Sequence, residues 1–547
     1  MTDFDVLVIG GGPVGMSAGI QLASRGIRTF VAERHLTLSQ HPKAAGIHPT
    51  TMELFAQWGV ADAIRGQSLP PERSTGFAWT TRLKDGMDLG QVRFGGEPAP
   101  GPEPSPAQLC FTPQDIVEPI LHEELLRHPA ATFAFGTTAE VLYQDAGGVT
   151  VSLTGPTGRR EVRASYVIAA DGVRSPTRTR LGITETAGPV YGESINVYFA
   201  SDALTRDTAT WPFSLTWILN PDVTGAIYPV GRGNRWIFNF SGEEHEEYDE
   251  ATCVRNVRHA AGDPALDIEV LSILRWRHED AVADSWRTGR VFLAGDAAHR
   301  FPPHGGFGMN SGIQDTANLC WKLALVLDGT AADGLLDTYE QERKPIAEFN
   351  AEQCTLNTKK LAETGWLAED PEILASIETP DGARLRERIR AAVPRQRDQF
   401  HSTGQQFGFR YASPAVVDDG SEPEPSTVAD YRPSASPGSR APHLWLRDHG
   451  GVRYSTVDLP AGRFVVLTGH AGGQWADAAE ALDLPAWVIG ADLVPETEPF
   501  EAAYGIATTG MVLIRPDGHV ALRIPATADD CHAVLADALD RILRGAA

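Results

Sequence analysis

The stretch FDVLVIGGGPVGMSAGIQLASRGIRTFVAE, Phe4 to Glu33, decides the fold. Phe4 to Ile9 is an apolar strand, and Gly10, Gly12 and Gly15 follow it with GxGxxG spacing. Val14, Ala18 and Leu22 recur every four residues, giving one helix face that closes at Gly26, a C′ glycine. A second strand, Arg28 to Ala32, ends in Glu33, about twenty residues beyond the fingerprint. This is a complete βαβ opening. Gly10 permits the tight turn, Gly12 lets backbone approach a pyrophosphate, and Gly15 allows helix and strand to pack closely. The helix N-terminus faces the phosphate charge, and Glu33 can accept hydrogen bonds from a ribose. A glycine-rich turn without a ligand would need neither the helix nor the acid.

One dinucleotide is expected, because no later strand carries a second GxGxxG and a helix. The nearest look-alike, LTGHAGGQW at Leu467 to Trp475, has the wrong glycine spacing and no acid at the right distance, as expected of a turn. The partner of the opening is Gly295 to Asp315, GDAAHRFPPHGGFGMNSGIQD. It has an acid behind a glycine (Asp296), a stiff turn (Pro302, Pro303), a bare loop (Gly305, Gly306, Gly308) and a helix start near Asn310. These are the parts a bound flavin needs, so the two stretches are expected as walls of one FAD site. Asp296 could accept from ribityl hydroxyls, and the helix near Asn310 would aim its free N–H groups at the pyrimidine side, where reduced flavin is negative. The plainer roles are capping for Asp296 and Asn310 and rigidity for the prolines.

The chain of 547 residues is too long for one core. Its net charge of -24, from 47 Lys+Arg against 71 Asp+Glu, argues against nucleic acid. The longest apolar run, LCWKLALVL, is broken by Lys322, so no membrane span is expected. The N-terminus has no basic region ahead of its apolar strand, and the five cysteines are scattered without CxxC. Both features fit a cytoplasmic protein with no disulfide framework and no zinc or other metal site. His48 to Gly59 is expected as a capped helix, Pro98 to Pro106 as a surface crossing, and Gln114 to Leu126 as a helix. Val149 to Leu153 and Val162 to Ala170 alternate as strands, and Val190 to Phe240, rich in aromatics at period two, as an antiparallel sheet. Strand Val291 to Ala294 precedes the second flavin stretch, a helix follows from about Asn310 to Leu327, and another begins near Gly334 with Pro345 resetting it. Asp418 to Pro442 is the clearest linker. Beyond it, strands at Phe464 to Leu467, Trp487 to Gly490, Met511 to Ile514 and Val520 to Arg523, with helices near Trp475 to Leu482 and Asp529 to Leu543, predict a separate small α/β domain.

GGGPVG, DGVRSPTRTRLGI at Asp171 to Ile183, and GDAAHRFPPHGGFGMNSGIQDTANLCWKLA resemble the three signatures of the class A FAD monooxygenases. These are aromatic hydroxylases similar to p-hydroxybenzoate hydroxylase, phenol hydroxylases and bacterial polyketide hydroxylases. The resemblance covers Asp3 to Leu361, and the tail from Gly438 resembles the thioredoxin-like domain of the phenol and polyketide branch. It implies an α/β fold: a Rossmann-type FAD-binding domain (1–185 and 281–417), an inserted antiparallel-sheet substrate domain (186–280, joined by 75–108), a linker (418–442) and a thioredoxin-like α/β domain (443–547). It implies that Gly10, Gly12, Pro13, Val14, Gly15, Glu33 and Arg34 hold the ADP half of FAD. Gln114 and Asp296 match flavin- and ribityl-contacting positions, and Asp171 and Gly172 a pair serving both FAD and visiting NAD(P)H. Pro303, Gly306, Gly308, Met309 and Asn310 match the segment along the isoalloxazine edge. Three positions depart from the pattern. Lys43 stands where an Arg is expected and cannot make its planar fork, Phe307 replaces a Gln, and the tail has no CxxC, only Cys531.

The reaction implied is hydroxylation of an electron-rich, polycyclic phenol through a flavin C4a-hydroperoxide, using NAD(P)H and O2. Tyr228, Arg232, Arg275 and His304 are candidates for polarising the substrate, with Pro303 beside them. The alternatives are Baeyer–Villiger, oxidase or dehydrogenase chemistry on the same scaffold, or a catalytically silent FAD-binding protein. The WxWxIP of halogenases and the CysxxxxCys of disulfide reductases are absent. The partners expected are an aromatic small molecule and O2, without nucleic acid or membrane, and with a homodimer left open.

Overall fold

The computed structural model describes residues 2–94, 103–242, 246–366 and 371–545. Part of the proline-rich crossing, residues 98–102, lies outside the described residues.

The opening folds as its pattern requires, with strand Phe4–Ile9, helix Pro13–Ala23 and strand Thr29–Ala32. Four strands lie parallel at the centre of an eight-stranded sheet, buried at their carboxyl ends: Val291–Leu293, Gly158–Ala169, Phe4–Ile9 and Thr29–Ala32. Their register pairs Ile9 with Ala169, Ile9 with Ala32, and Ala169 with Leu293. All four chains therefore leave the sheet at one edge. The glycine loop after Ile9, Glu33 after Ala32, Asp171 after Ala169 and Asp296 after Leu293 converge there, at the carboxyl ends where open parallel sheets take ligands.

A seven-stranded sheet stands beside it in the order Glu269–His278, Gly192–Ala200, Arg235–Gly242, Thr224–Val230, Leu215–Leu219, Gly76–Thr80, Asp88–Arg93. It is antiparallel as expected except at one pair: Leu215–Leu219 runs parallel to Gly76–Thr80, because that strand arrives from a distant part of the chain. The tail forms a four-stranded sheet, Ala486–Val488, Val465–Thr468, Met511–Ile514 and Val520–Ile524, with helices Gly473–Ala481 and Cys531–Arg544.

Two helix expectations need correction. The flavin-loop helix runs from Phe307 to Leu327, three residues earlier than the start near Asn310. Gly306 adopts φ 72° and caps it, so the turn is completed before the first polar residue. The long helix Thr338–Ala362 also continues through Pro345 instead of being reset, after a 3₁₀ turn at Asp333–Asp337. The proline removes the bond to the Gln341 carbonyl, at a cost of about 3 kcal/mol in a helix interior. Gln341 and Pro345 are exposed, so water can serve that carbonyl, and the opposite face is held by buried Ala347, Asn350 and Ala351.

Residues 418–442 carry no helix or strand, yet they are fastened down. Arg440 is buried, pairs with Glu53 beyond the flavin loop and donates to the Pro104 carbonyl at 3.1 Å. Among the described residues no helix is long and apolar enough to cross a membrane.

Candidate active site

One cavity of about 1640 Å³ joins the carboxyl edge of the parallel sheet to the face of the seven-stranded sheet. At its nucleotide end the three fingerprint glycines divide their work. A Cβ on Gly10, at φ 107°, would lie 2.2 Å from the Ala170 carbonyl, and one on Gly15 would lie 1.9 Å from the Gly10 carbonyl. These two serve packing and lie behind the cavity wall. Gly12 is different: a Cβ there would meet nothing within 4 Å, and with Pro13 and Val14 it lines the cavity. As N-cap it brings no side chain to the first turn, so that turn's N–H groups are left for an anion. Glu33 is turned inward, its carboxylate accepting from the Gly11 N–H at 2.7 Å and the His35 N–H at 2.8 Å. A ribose would have to share those oxygens, while Arg34 stands at the cavity wall.

Further in, Asp171 accepts from Ser175 Oγ at 2.5 Å and the Thr177 N–H at 3.1 Å, and Gly172 beside it opens on the cavity. Gln114 lines the same space and donates to Glu118 at 2.6 Å. Asp296 is exposed toward the cavity and makes no hydrogen bond to a described residue. Burial raises its pKa, opposed by the charges of His299, Lys43 and Arg300. Lys43 lines the cavity too, so it supplies charge without a fork. Bare first-turn amides at one end and an unpartnered acid deeper in fit the pyrophosphate and ribityl chain of FAD.

The flavin loop is held from behind by groups the sequence did not mark. Gly305 and Gly306 have φ 108° and 72°. Gly306, Gly308, Met309, Pro303 and Phe307 line the cavity. Asn310 does not: it is buried, accepts from the His48 N–H at 2.9 Å, and donates to the Gly46 and Gly306 carbonyls at 3.0 and 2.6 Å. Its side chain thus pins the loop from behind. His48 Nε2 donates to the Gly305 carbonyl at 2.9 Å, and Phe307 packs edge-on against the same imidazole at 4.7 Å. Asp315, fully buried, accepts from the Gly295 N–H at 3.1 Å, from Arg343 Nε at 3.0 Å and lies 2.7 Å from His299 Nε2. Burial alone would raise its pKa. The His299 and Arg343 charges and hydrogen bonds overcome that and hold it below the ordinary value.

At the substrate end, Tyr228 lines the cavity; burial pushes its phenol pKa up, opposed by a hydrogen bond with Asn196. Arg275 also reaches the wall, but Glu193 holds it at 2.6 Å and the Glu246 carbonyl takes another donor. Arg232 lies elsewhere. Gly231, at φ 63°, ends the strand at Val230, and Arg232 sits exposed in the hairpin turn that follows. His304 follows Pro303 into the chamber, its Nδ1 2.8 Å from Thr358 Oγ1. Around it stand Trp366, edge-on at 5.2 Å, Trp217 at 6.2 Å and His278, stacked at 5.8 Å. Burial, reinforced by His278, holds the His304 pKa well below the usual value, and burial alone brings His278 to about 4. Among the described residues no group of three or more His, Cys, Asp or Glu side chains could hold a metal.

Residues 3–353 match the FAD binding domain family, and residues 434–546 match the aromatic-ring hydroxylase C-terminal family. The chain belongs to the FAD-binding aromatic-ring hydroxylases. It is 36% identical to tetracenomycin B2 monooxygenase-dioxygenase of Streptomyces olivaceus and 35% identical to an aklavinone 12-hydroxylase of Streptomyces purpurascens, over 99% of each chain. Among solved structures it resembles the flavin-dependent monooxygenase PieE in complex with FAD and substrate, with TM-score 0.89, 31% identity and coverage of 99% of this chain and 100% of that one. It also resembles aklavinone-11 hydroxylase with FAD and aklavinone, at TM-score 0.83, 32% identity and 99% of each chain. This hydroxylase is a flavoprotein monooxygenase of aromatic substrates, with FAD as cofactor and NAD(P)H as co-substrate. Its chamber also uses a wall the sequence never suggested, Trp366 and Gln399 to Phe407, which follow the long helix. No periodicity marks that wall, since its residues come from the end of a 3₁₀ segment at Gln399, the loop after it and the five-residue helix Thr403–Phe407.

Proposed function

We propose that this hydroxylase adds oxygen to a polycyclic, polyketide-type phenol, drawing on NAD(P)H and O2. The observation that carries the reading is the size and continuity of the cavity. Sites for one drug-sized ligand run to about 1,000 Å³, and a space of about 1640 Å³ admits a dinucleotide and a multi-ring substrate together. Its relatives named for tetracenomycin B2 and aklavinone support the same class.

Bound FAD supplies the redox and oxygen chemistry. The chain's part is to hold the pyrophosphate on bare helix amides, to fix the flavin loop through Asn310, His48 and Asp315, and to keep water from the chamber with Trp217 and Trp366. The domain boundaries at 185, 280, 417 and 442 belong to this proposal. In their support, all seven strands of the second sheet fall within 76–93 and 192–278. We place the enzyme in the cytoplasm, in keeping with five buried, unpaired cysteines. A homodimer is the oligomer to test by light scattering.

The test is consumption of NAD(P)H and O2 by the FAD-loaded enzyme with polycyclic phenols and with simple phenols. Polycyclic phenols should stimulate both and gain one oxygen. Stimulation by simple phenols alone would overturn the substrate class, and a lactone product would replace hydroxylation by ring expansion.

A further inference from the structure

We propose that His304 Nε2 is the acceptor for the substrate's hydroxyl, in a tautomer set by Thr358; this rests on the phenolic substrate argued above. His304 lines the cavity although its residue is only 6% exposed. Its Nδ1 lies 2.8 Å from Thr358 Oγ1. That hydroxyl has one hydrogen, and it is donated to the Cys354 carbonyl one turn back, at 2.9 Å. Thr358 can therefore meet the imidazole only as an acceptor. Nδ1 carries the ring proton, and Nε2 presents its lone pair.

Nε2 has no partner among the described residues, and unlike Nδ1 of His278 it is not sealed from the cavity. The rings of Trp217, Trp366 and His278 stand around the imidazole, and the open cavity leaves a ligand as the natural partner of Nε2. The depressed pKa of His304 keeps the lone pair free of a proton through the neutral range. An acceptor in apolar surroundings selects a donor. A phenol satisfies it, whereas the matching methyl ether leaves a buried nitrogen unmatched and crowds it. His304 would touch substrate, and Thr358 would be a positioning residue.

The experiment uses the oxidised, FAD-loaded enzyme without NAD(P)H, titrated with 2-naphthol and with 2-methoxynaphthalene and read by the flavin absorbance change. Wild type should prefer the naphthol by roughly 10- to 100-fold, the ratio expected for one buried unmatched group. His304→Leu should bring the ratio toward one while still binding the ether. Thr358→Val should also lower it, because Nδ1 loses its acceptor and the proton moves to Nε2, now a donor to the ether oxygen. Thr358→Ser, which keeps the hydroxyl, should restore the preference; a general loosening of the chamber would not respond in this way. If His304→Leu cannot retain FAD, the Val and Ser pair decides. Binding of both probes to wild type without preference, or an undiminished preference in either His304→Leu or Thr358→Val, overturns the role of His304. Failure of both probes to bind wild type overturns the polycyclic-aromatic reading itself.

Discussion

Two glycines of one fingerprint separate fold from function. At Gly15 an added Cβ would sit 1.9 Å from a backbone oxygen, where nothing flexible can yield. Gly15→Ala should destabilise even the FAD-free protein, toward the upper end of the about 1–3 kcal/mol typical of overpacking. At Gly12 the Cβ meets nothing and φ is -74°, which alanine accepts. Gly12→Ala should cost the FAD-free protein at most about 1 kcal/mol as a poorer N-cap, and should weaken FAD binding by intruding on the pyrophosphate. Urea unfolding of the FAD-free variants and FAD titration check both, and equal losses of stability would refute the division. These glycines were legible in the sequence because their constraints are local to one turn. Asn310 was legible as important but its partner was not, because His48 is 262 residues away and no local spacing points to it.

Among the elements, the flavin-loop helix and the long helix are locked by a buried ionic cluster. Glu342 accepts from Arg515 at 2.6 and 2.8 Å, from Lys322 at 2.7 Å, and from Asn318 at 2.6 Å, with none of the charged groups exposed. Burial alone would raise the Glu342 pKa, but the charges of Arg515 and Lys322 hold it well below its ordinary 4.5. Its stabilising share is therefore present above pH 4.5 and fades as pH falls toward the lowered value. Lys322 acts in the opposite sense. Burial brings it to about 8 from 10.5, so the unfolded chain holds more protons between those values and stability gains from this group as pH rises through them. Glu342→Gln should cost about 3–5 kcal/mol near pH 7, as expected when a buried cation pair loses its anion. It should also flatten the fall in stability below pH 4.5 seen in urea melts of the wild type. An unchanged acid limb would show that Glu342 is not the group titrating. The helices themselves were legible in the sequence as segments from about Asn310 to Leu327 and from near Gly334. The start of one and the continuity of the other were not, because a left-handed Gly306 sets the first and an exposed Gln341 carbonyl permits the second.

At the scale of the molecule, the sequence placed a separate tail behind a linker, and its strands and helices were legible from their own periodicity. What they pack against was not, since a core shared across some two hundred residues leaves no mark in either half. Trp321 and Leu335, on the back of the flavin-loop helix and after it, belong to the same apolar cluster as Phe464, Trp475 and Leu535 of the tail. Trp321 meets Phe464 edge-on at 5.5 Å and donates to Asp517 at 3.2 Å, and Arg515 completes the Glu342 cluster from the tail side. The tail is thus the back wall of the helix whose front carries the flavin loop. The full chain should accordingly unfold in one transition, with FAD released at the same temperature. Arg515→Leu, at a position that does not line the cavity, should lower both the melting temperature and FAD affinity, because it leaves Glu342 underpaired beneath that helix. Calorimetry alongside flavin fluorescence reads both. Two separated transitions, or an Arg515→Leu protein that melts early yet holds FAD with unchanged affinity, would show that the tail is an independent passenger.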